Sequence, residues 1–179
     1  IACRTFSIND PRVPVMSVLS TILGGGMSSR LFQKMRNELG ICYYVRTSHD
    51  TYTDHGNLTI SAGVDNKRVS IAVKEILAQC ELLKTKAVDA QELKKAKDYI
   101  AGSMMLELET SDQRAQYAGL EEVIKGQIES PEEFIKKVSL VTASDVQKLA
   151  NEVFVNNGLN LALVGKTMVS ELEPILRFA

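Results

Sequence analysis

Leu23-Gly24-Gly25-Gly26-Met27-Ser28-Ser29-Arg30-Leu31-Phe32-Gln33-Lys34-Met35-Arg36-Asn37-Glu38-Leu39-Gly40-Ile41-Cys42-Tyr43-Tyr44-Val45 is the stretch around which the chain is organised. The three glycines permit backbone angles that a Cβ disfavours, so a tight reversal belongs there. Ser28 or Ser29 is placed to cap a short helix. Leu31, Phe32, Met35 and Leu39 share one face of it at helical spacing, and Gly40 stands where a left-handed cap ends a helix. Arg36, four residues after Phe32, borders that apolar face. Tyr43 follows in a strand, close enough in sequence for its phenol and the guanidinium to reach one cleft. Tyr44, its neighbour, is expected on the opposite sheet face.

Upstream, Ile1 to Ile8 has the partial alternation of an opening strand, halted by Asn9-Asp10-Pro11. A mostly apolar helix then begins near Val13 and carries Val15, Val18, Leu19, Ile22 and Leu23. Downstream, Ile41–Thr51 and Asn57–Val64 form the expected hairpin. The second strand alternates Leu58, Ile60, Ala62 and Val64 against Thr59, Ser61 and Gly63. Helical spacing returns from Val69 to Leu83. Asp89 with Glu92 opens the next helix as a reciprocal cap, reaching about Leu108. Thr110 or Ser111, Ser130-Pro131 and Thr142 open three more. Leu159–Val164 is a last strand, and a helix over about Val169–Leu176 closes the chain. Strands and helices are segregated, without the alternation of a doubly wound fold. The expected class is therefore α+β, a largely antiparallel sheet with helices on one face.

The 179 residues suit a single domain with a real core. Charges of 21 basic and 22 acidic residues are interspersed and aromatics are sparse, which argues against a nucleic-acid surface. No apolar run is long enough to span a membrane. Cys3, Cys42 and Cys80 are odd in number and widely separated, so free thiols in a reducing compartment are expected. The first residue is not a methionine, and the chain is read as a fragment or processed piece of a longer one.

Several motifs together resemble the C-terminal half of the pitrilysin/insulinase family of zinc metallopeptidases, nearest its processing-peptidase branch. They are Leu23-Gly24-Gly25-Gly26, Ser29-Arg30-Leu31-Phe32, Arg36, Leu39-Gly40 and Tyr43. Asp54-His55-Gly56, Glu92-Leu93-x-x-Ala96-Lys97 and Val164-Gly165 echo it later. The resemblance implies one α+β half-molecule, residues 1–179, that closes a peptide chamber against an N-terminal half. It implies that Arg36 and Tyr43 contact substrate and transition state, and that zinc is held by the other half. The family's His-x-x-Glu-His is absent here. His49 and His55 flank the expected hairpin turn and read as polar loop residues, with cross-strand proximity left open.

Read from the residues alone, Arg36 is a surface charge on a helix flank and Tyr43 a strand core residue. The resemblance reverses that preference. Cys42 stands where the family commonly has a small residue, and it reads as a small buried hydrophobe. The implied partners are the N-terminal half and a peptide or unfolded protein, in a homodimer or heterodimer. The implied compartment is the bacterial cytoplasm or an organelle matrix. A non-catalytic scaffold subunit, or a domain that captures extended peptides at its sheet edge, are the alternatives.

Overall fold

A computed structural model describes all residues from Ile1 to Ala179. Its four strands, β1 (Ala2–Thr5), β2 (Cys42–Thr51), β3 (Gly56–Val64) and β4 (Leu159–Asn160), form one sheet in the order β2-β3-β1-β4. Every pairing is antiparallel. The helices are α1 (Val13–Gly24), α2 (Val69–Thr85), α3 (Ala90–Glu107), α4 (Ser111–Lys125), α5 (Pro131–Leu140), α6 (Ala143–Val153) and α7 (Val169–Leu172). The expected α+β class is the observed one.

Alternation along β3 decides which face is covered. Leu58 and Ile60 are buried, as are Cys3, in register with Leu58, and Val45, in register with Ala62 two residues further along the same face. Opposite-face residues such as Arg46 and Ser48 meet solvent. Helix α1 lies over the covered face, burying Met16, Val18, Leu19, Ile22 and Leu23. Its last residue, Gly24, leaves no space for a side chain, because an added Cβ would lie 2.7 Å from the Thr47 methyl of β2. Thr47 repays this closeness with a hydrogen bond from its hydroxyl to the Ser20 carbonyl at 2.6 Å. Helices α2 and α6 complete the core with Val73, Ile76, Leu77, Val146, Leu149 and Val153.

The caps expected at Thr110, Ser130 and Thr142 are present as reciprocal boxes with Gln113, Glu133 and Asp145. Asp89 caps α3 by accepting from the backbone of Gln91 and Glu92. The return bond expected of Glu92 is not made, because its carboxylate grips Arg30 through two bonds of 2.7 and 2.8 Å.

Three element lengths differ from expectation. Strand β1 covers four residues rather than eight. Helix α7 is one turn followed by a 3₁₀ turn, Glu173–Ile175, since Pro174 interrupts regular helix. Strand β4 covers Leu159–Asn160 alone, because its neighbour β1 pairs with it only at Ala2 and Cys3. A strand requires a partner as well as a pattern. No helix is long and apolar enough to cross a membrane.

Candidate functional site

The segment after the glycine turn is a π-helix, Phe32–Glu38, whose wider turns close through the Leu39 N–H to the Lys34 carbonyl. Leu31 and Met35 are fully buried beneath it. Leu39 leaves the apolar face on which ordinary helical spacing places it and is 39% exposed, because five-residue hydrogen bonding rotates each later side chain relative to a 3.6-residue helix. Ser29 does not cap this helix. Its buried hydroxyl donates to the Gly26 carbonyl at 2.6 Å and so tightens the glycine turn. Gly26 and Gly40, at φ of 109° and 57°, occupy the left-handed region at the two ends of the segment.

Beyond Gly40 the chain enters β2 through a bulge. Cys42 faces Val64 and Tyr44 faces Gly63, so Tyr43 is the extra residue without a cross-strand partner. Regular alternation back from buried Val45 would put Tyr43 on the covered face. The bulge instead turns it outward to 82% exposure. Tyr44 lies on the open face, its ring filling the place of the missing Gly63 side chain. The core reading of Tyr43 is thereby corrected, while Cys42 is buried. Burial raises the Cys42 thiol pKa, an effect that the nearby Arg36 charge partly opposes.

Arg36 reaches the same corner. Its guanidinium donates to the Cys42 carbonyl at 2.9 Å, one peptide before Tyr43. Arg68, which ends the 3₁₀ turn Asn66–Arg68, donates to the Gly40 carbonyl at 3.0 Å. Arg36, Tyr43, Gly40, Asp65 and Arg68 thus border one open pocket of about 300 Å³. Arg12 and Arg30 are bonded to carboxylates. Arg36 and Arg68 are each bonded to a carbonyl, and a guanidinium has further N–H groups to offer. Arg68 was not legible as a site residue, since 28 positions separate it from Gly40 and no local motif marks it.

The histidines take no part in this corner. His49 is a β2 residue opposite Leu58, not a loop residue, and His55 lies in the turn after it. They are not cross-strand partners. His49 Nε2 is 3.1 Å from the Thr5 hydroxyl, and desolvation lowers its pKa to about 4. His55 Nδ1 is bonded to Asp54. No group of three or more His, Cys, Asp or Glu side chains is placed to hold a metal ion, so the residues present do not fit a zinc site.

A family profile described as "Peptidase M16 inactive domain" matches residues 1–100, the part containing the glycine turn, the π-helix and the β2–β3 hairpin. This chain belongs to the peptidase M16 family. An uncharacterized zinc protease of Bacillus subtilis is 31% identical over 151 residues, 84% of this chain and 37% of its own length. Among solved structures, a protease from Helicobacter pylori superposes with a TM-score of 0.79 at 22% identity, over 88% of this chain and 38% of that one. A peptidase M16 inactive domain from Pseudomonas fluorescens gives 0.73 at 21%, over 85% and 37%. This M16 chain spans between 35% and 40% of the length of the first three curated relatives it matches. It is the C-terminal, inactive type of M16 domain found in proteins named as zinc proteases.

Proposed function

We propose that this domain is part of a longer processing-type endopeptidase, where it closes a peptide chamber and supplies contacts to substrate and transition state. The observation that carries the reading is the convergence of Arg36 and Tyr43 on one open pocket, with a bulge that turns the tyrosine outward. An extended peptide presents carbonyl oxygens at regular intervals. The Tyr43 hydroxyl can donate to one of them and donate more strongly as negative charge develops on that oxygen. The free N–H groups of Arg36 and Arg68 suit a second carbonyl or a terminal carboxylate. The names of relatives support zinc in the whole protein, and the ligands for it would belong to an N-terminal half. The zinc would supply the Lewis acidity for hydrolysis. This chain's part is to bind and orient the peptide.

On this reading the partners are that N-terminal half, a peptide or unfolded protein, and a second subunit in a homodimer or heterodimer. The compartment is the bacterial cytoplasm or an organelle matrix. Tyr43→Phe in the full-length protein should lower kcat for an unfolded peptide by about 10²–10³, the usual cost of one such donor. Its thermal midpoint should not move, since the hydroxyl is exposed and no protein group is bonded to it. Undiminished turnover would favour a non-catalytic scaffold role. The 179 residues alone should cleave nothing; chelator-sensitive cleavage by them would overturn the division of labour.

A further inference from the structure

Two guanidiniums border the open corner between Gly40 and Tyr43, and they are not equivalent. Arg36 bonds the Cys42 carbonyl, one peptide before Tyr43. Arg68 bonds the Gly40 carbonyl, two residues further from it. Successive residues of an extended peptide lie about 3.3 Å apart, so groups anchored two residues apart in the wall address different residues of one bound chain. The backbone of Arg68 is held from both sides. Asp65 accepts from the Lys67 N–H at 2.8 Å and closes the turn, and the next residue, Val69, is buried in the core. The Arg68 guanidinium is tied down at one nitrogen only, and its other N–H groups are left to donate.

Charge and shape point to the ligand. Neither guanidinium has a carboxylate within 4 Å, whereas Arg12 and Arg30 do. Asp65 is the only acid among the seven residues that border the pocket, so its lining carries one positive charge in excess. One oxygen of that carboxylate is already engaged by the Lys67 N–H. At Gly40 the wall has no side chain, and a Cβ added there would meet nothing within 4 Å. Ile41 and Cys42 beside it are buried. The pocket of about 300 Å³ equals the volume of about ten liquid waters, which accommodates a side chain together with the backbone that carries it.

We propose that this corner selects an acidic side chain of the bound peptide, and that Arg68 is the residue that sets the preference. This rests on the reading of the corner as a peptide site. A neutral carbonyl leaves the excess charge unmatched. A Glu or Asp carboxylate balances it and accepts from the planar fork of Arg68 at both oxygens. Arg36, nearer the tyrosine, keeps the backbone carbonyl, and a Lys or Arg side chain in the peptide is repelled. A side-chain carboxylate fits better than a chain end, because Tyr43 is read as acting on a peptide bond with residues on both sides.

The test is a glutamate scan on the full-length, metal-loaded protein. An unfolded peptide of neutral sequence, amidated at its C-terminus, carries a single Glu at each position in turn and is compared with Gln at the same position. At one position near the cleaved bond, kcat/KM should be at least about 10-fold higher for Glu, as expected for hydrogen bonding to a charged group. The same preference should appear in the Kd of these peptides for the chelated protein, which cleaves nothing. Arg68→Gln should abolish the difference, whatever it does to the absolute values, and Arg68→Lys should restore part of it, since the charge returns without the fork. Equal values at every position, or a preference that survives Arg68→Gln, would overturn the inference. So would a Gln peptide with a free C-terminal carboxylate that matches the amidated Glu peptide, because Arg68 would then read chain ends. Undiminished turnover in Tyr43→Phe breaks the reading of the peptide site, whereas an enzyme that depends on Tyr43 but shows no glutamate preference breaks this inference alone. If Arg68→Gln fails to fold, salt decides on the unaltered protein. The preference should shrink toward 1 M salt, where the screening length is about 3 Å, and a preference unchanged by salt would overturn the assignment.

Discussion

Cys3 has a leucine on each side of it in register, Leu58 in β3 and Leu159 in β4, yet the two positions behave differently. Leu58 is fully buried within a nine-residue strand paired on both sides, with α1 and α2 covering its face. Leu159 is half-buried in a strand of two residues. Side-chain type and spacing are alike, and what differs is the backbone on either side. A hydrophobic pattern selects the face of a strand, whereas a neighbouring ladder determines its length.

The sharpest way to break this comparison is to truncate both leucines. Leu58→Ala should cost about 2–5 kcal/mol, as expected for a closed core site. Leu159→Ala should cost about 1 kcal/mol, because its surroundings are partly open to water already. Urea unfolding at pH 7 measures both, and equal losses would show that the β4 side is as closed as the centre.

A smaller effect concerns His49, next to Leu58 at the other flank of β3. The unfolded histidine takes up a proton below about pH 6.5, whereas the folded one does so only near pH 4. Between these values unfolding binds a proton, so stability falls as the pH is lowered from 6.5 to 4. His49→Gln should remove that part of the slope while leaving the part due to carboxylates such as Asp145, whose pKa is depressed by its Thr142 cap. Stability curves against pH for the two proteins would decide it; parallel curves would mean that His49 is already solvated. The smallest expected change is Tyr44→Phe on the open face, within about 0.5 kcal/mol. A larger loss would show that the phenol, beyond its ring against Gly63, holds the sheet.

Much of this was legible because local signals and tertiary structure agree. The caps at Ser130 and Thr142, the stop at Gly40 and the alternation from Leu58 to Ile60 depend on near neighbours alone. Arg36 and Tyr43 were also legible as a pair through the motif around them. Features with distant causes were not. The bulge at Tyr43 depends on register with Val64 in β3. Glu92 pairs with Arg30 across 62 positions in place of the return bond of the local cap, and Arg68 enters the site only when the turn Asn66–Arg68 is brought against Gly40, 28 positions away.

The bulge also bears on insertions and deletions. Excising Tyr43 would leave Cys42 opposite Val64 and Tyr44 opposite Gly63 in an unbroken ladder, with Cys42 facing inward and Tyr44 outward as they do now. The sheet can therefore do without this residue, and a chain one amino acid shorter would pair more regularly. Tyr43 is surplus to the regular pairing of the sheet, and its side chain stands open to solvent at the corner that Arg36 also borders.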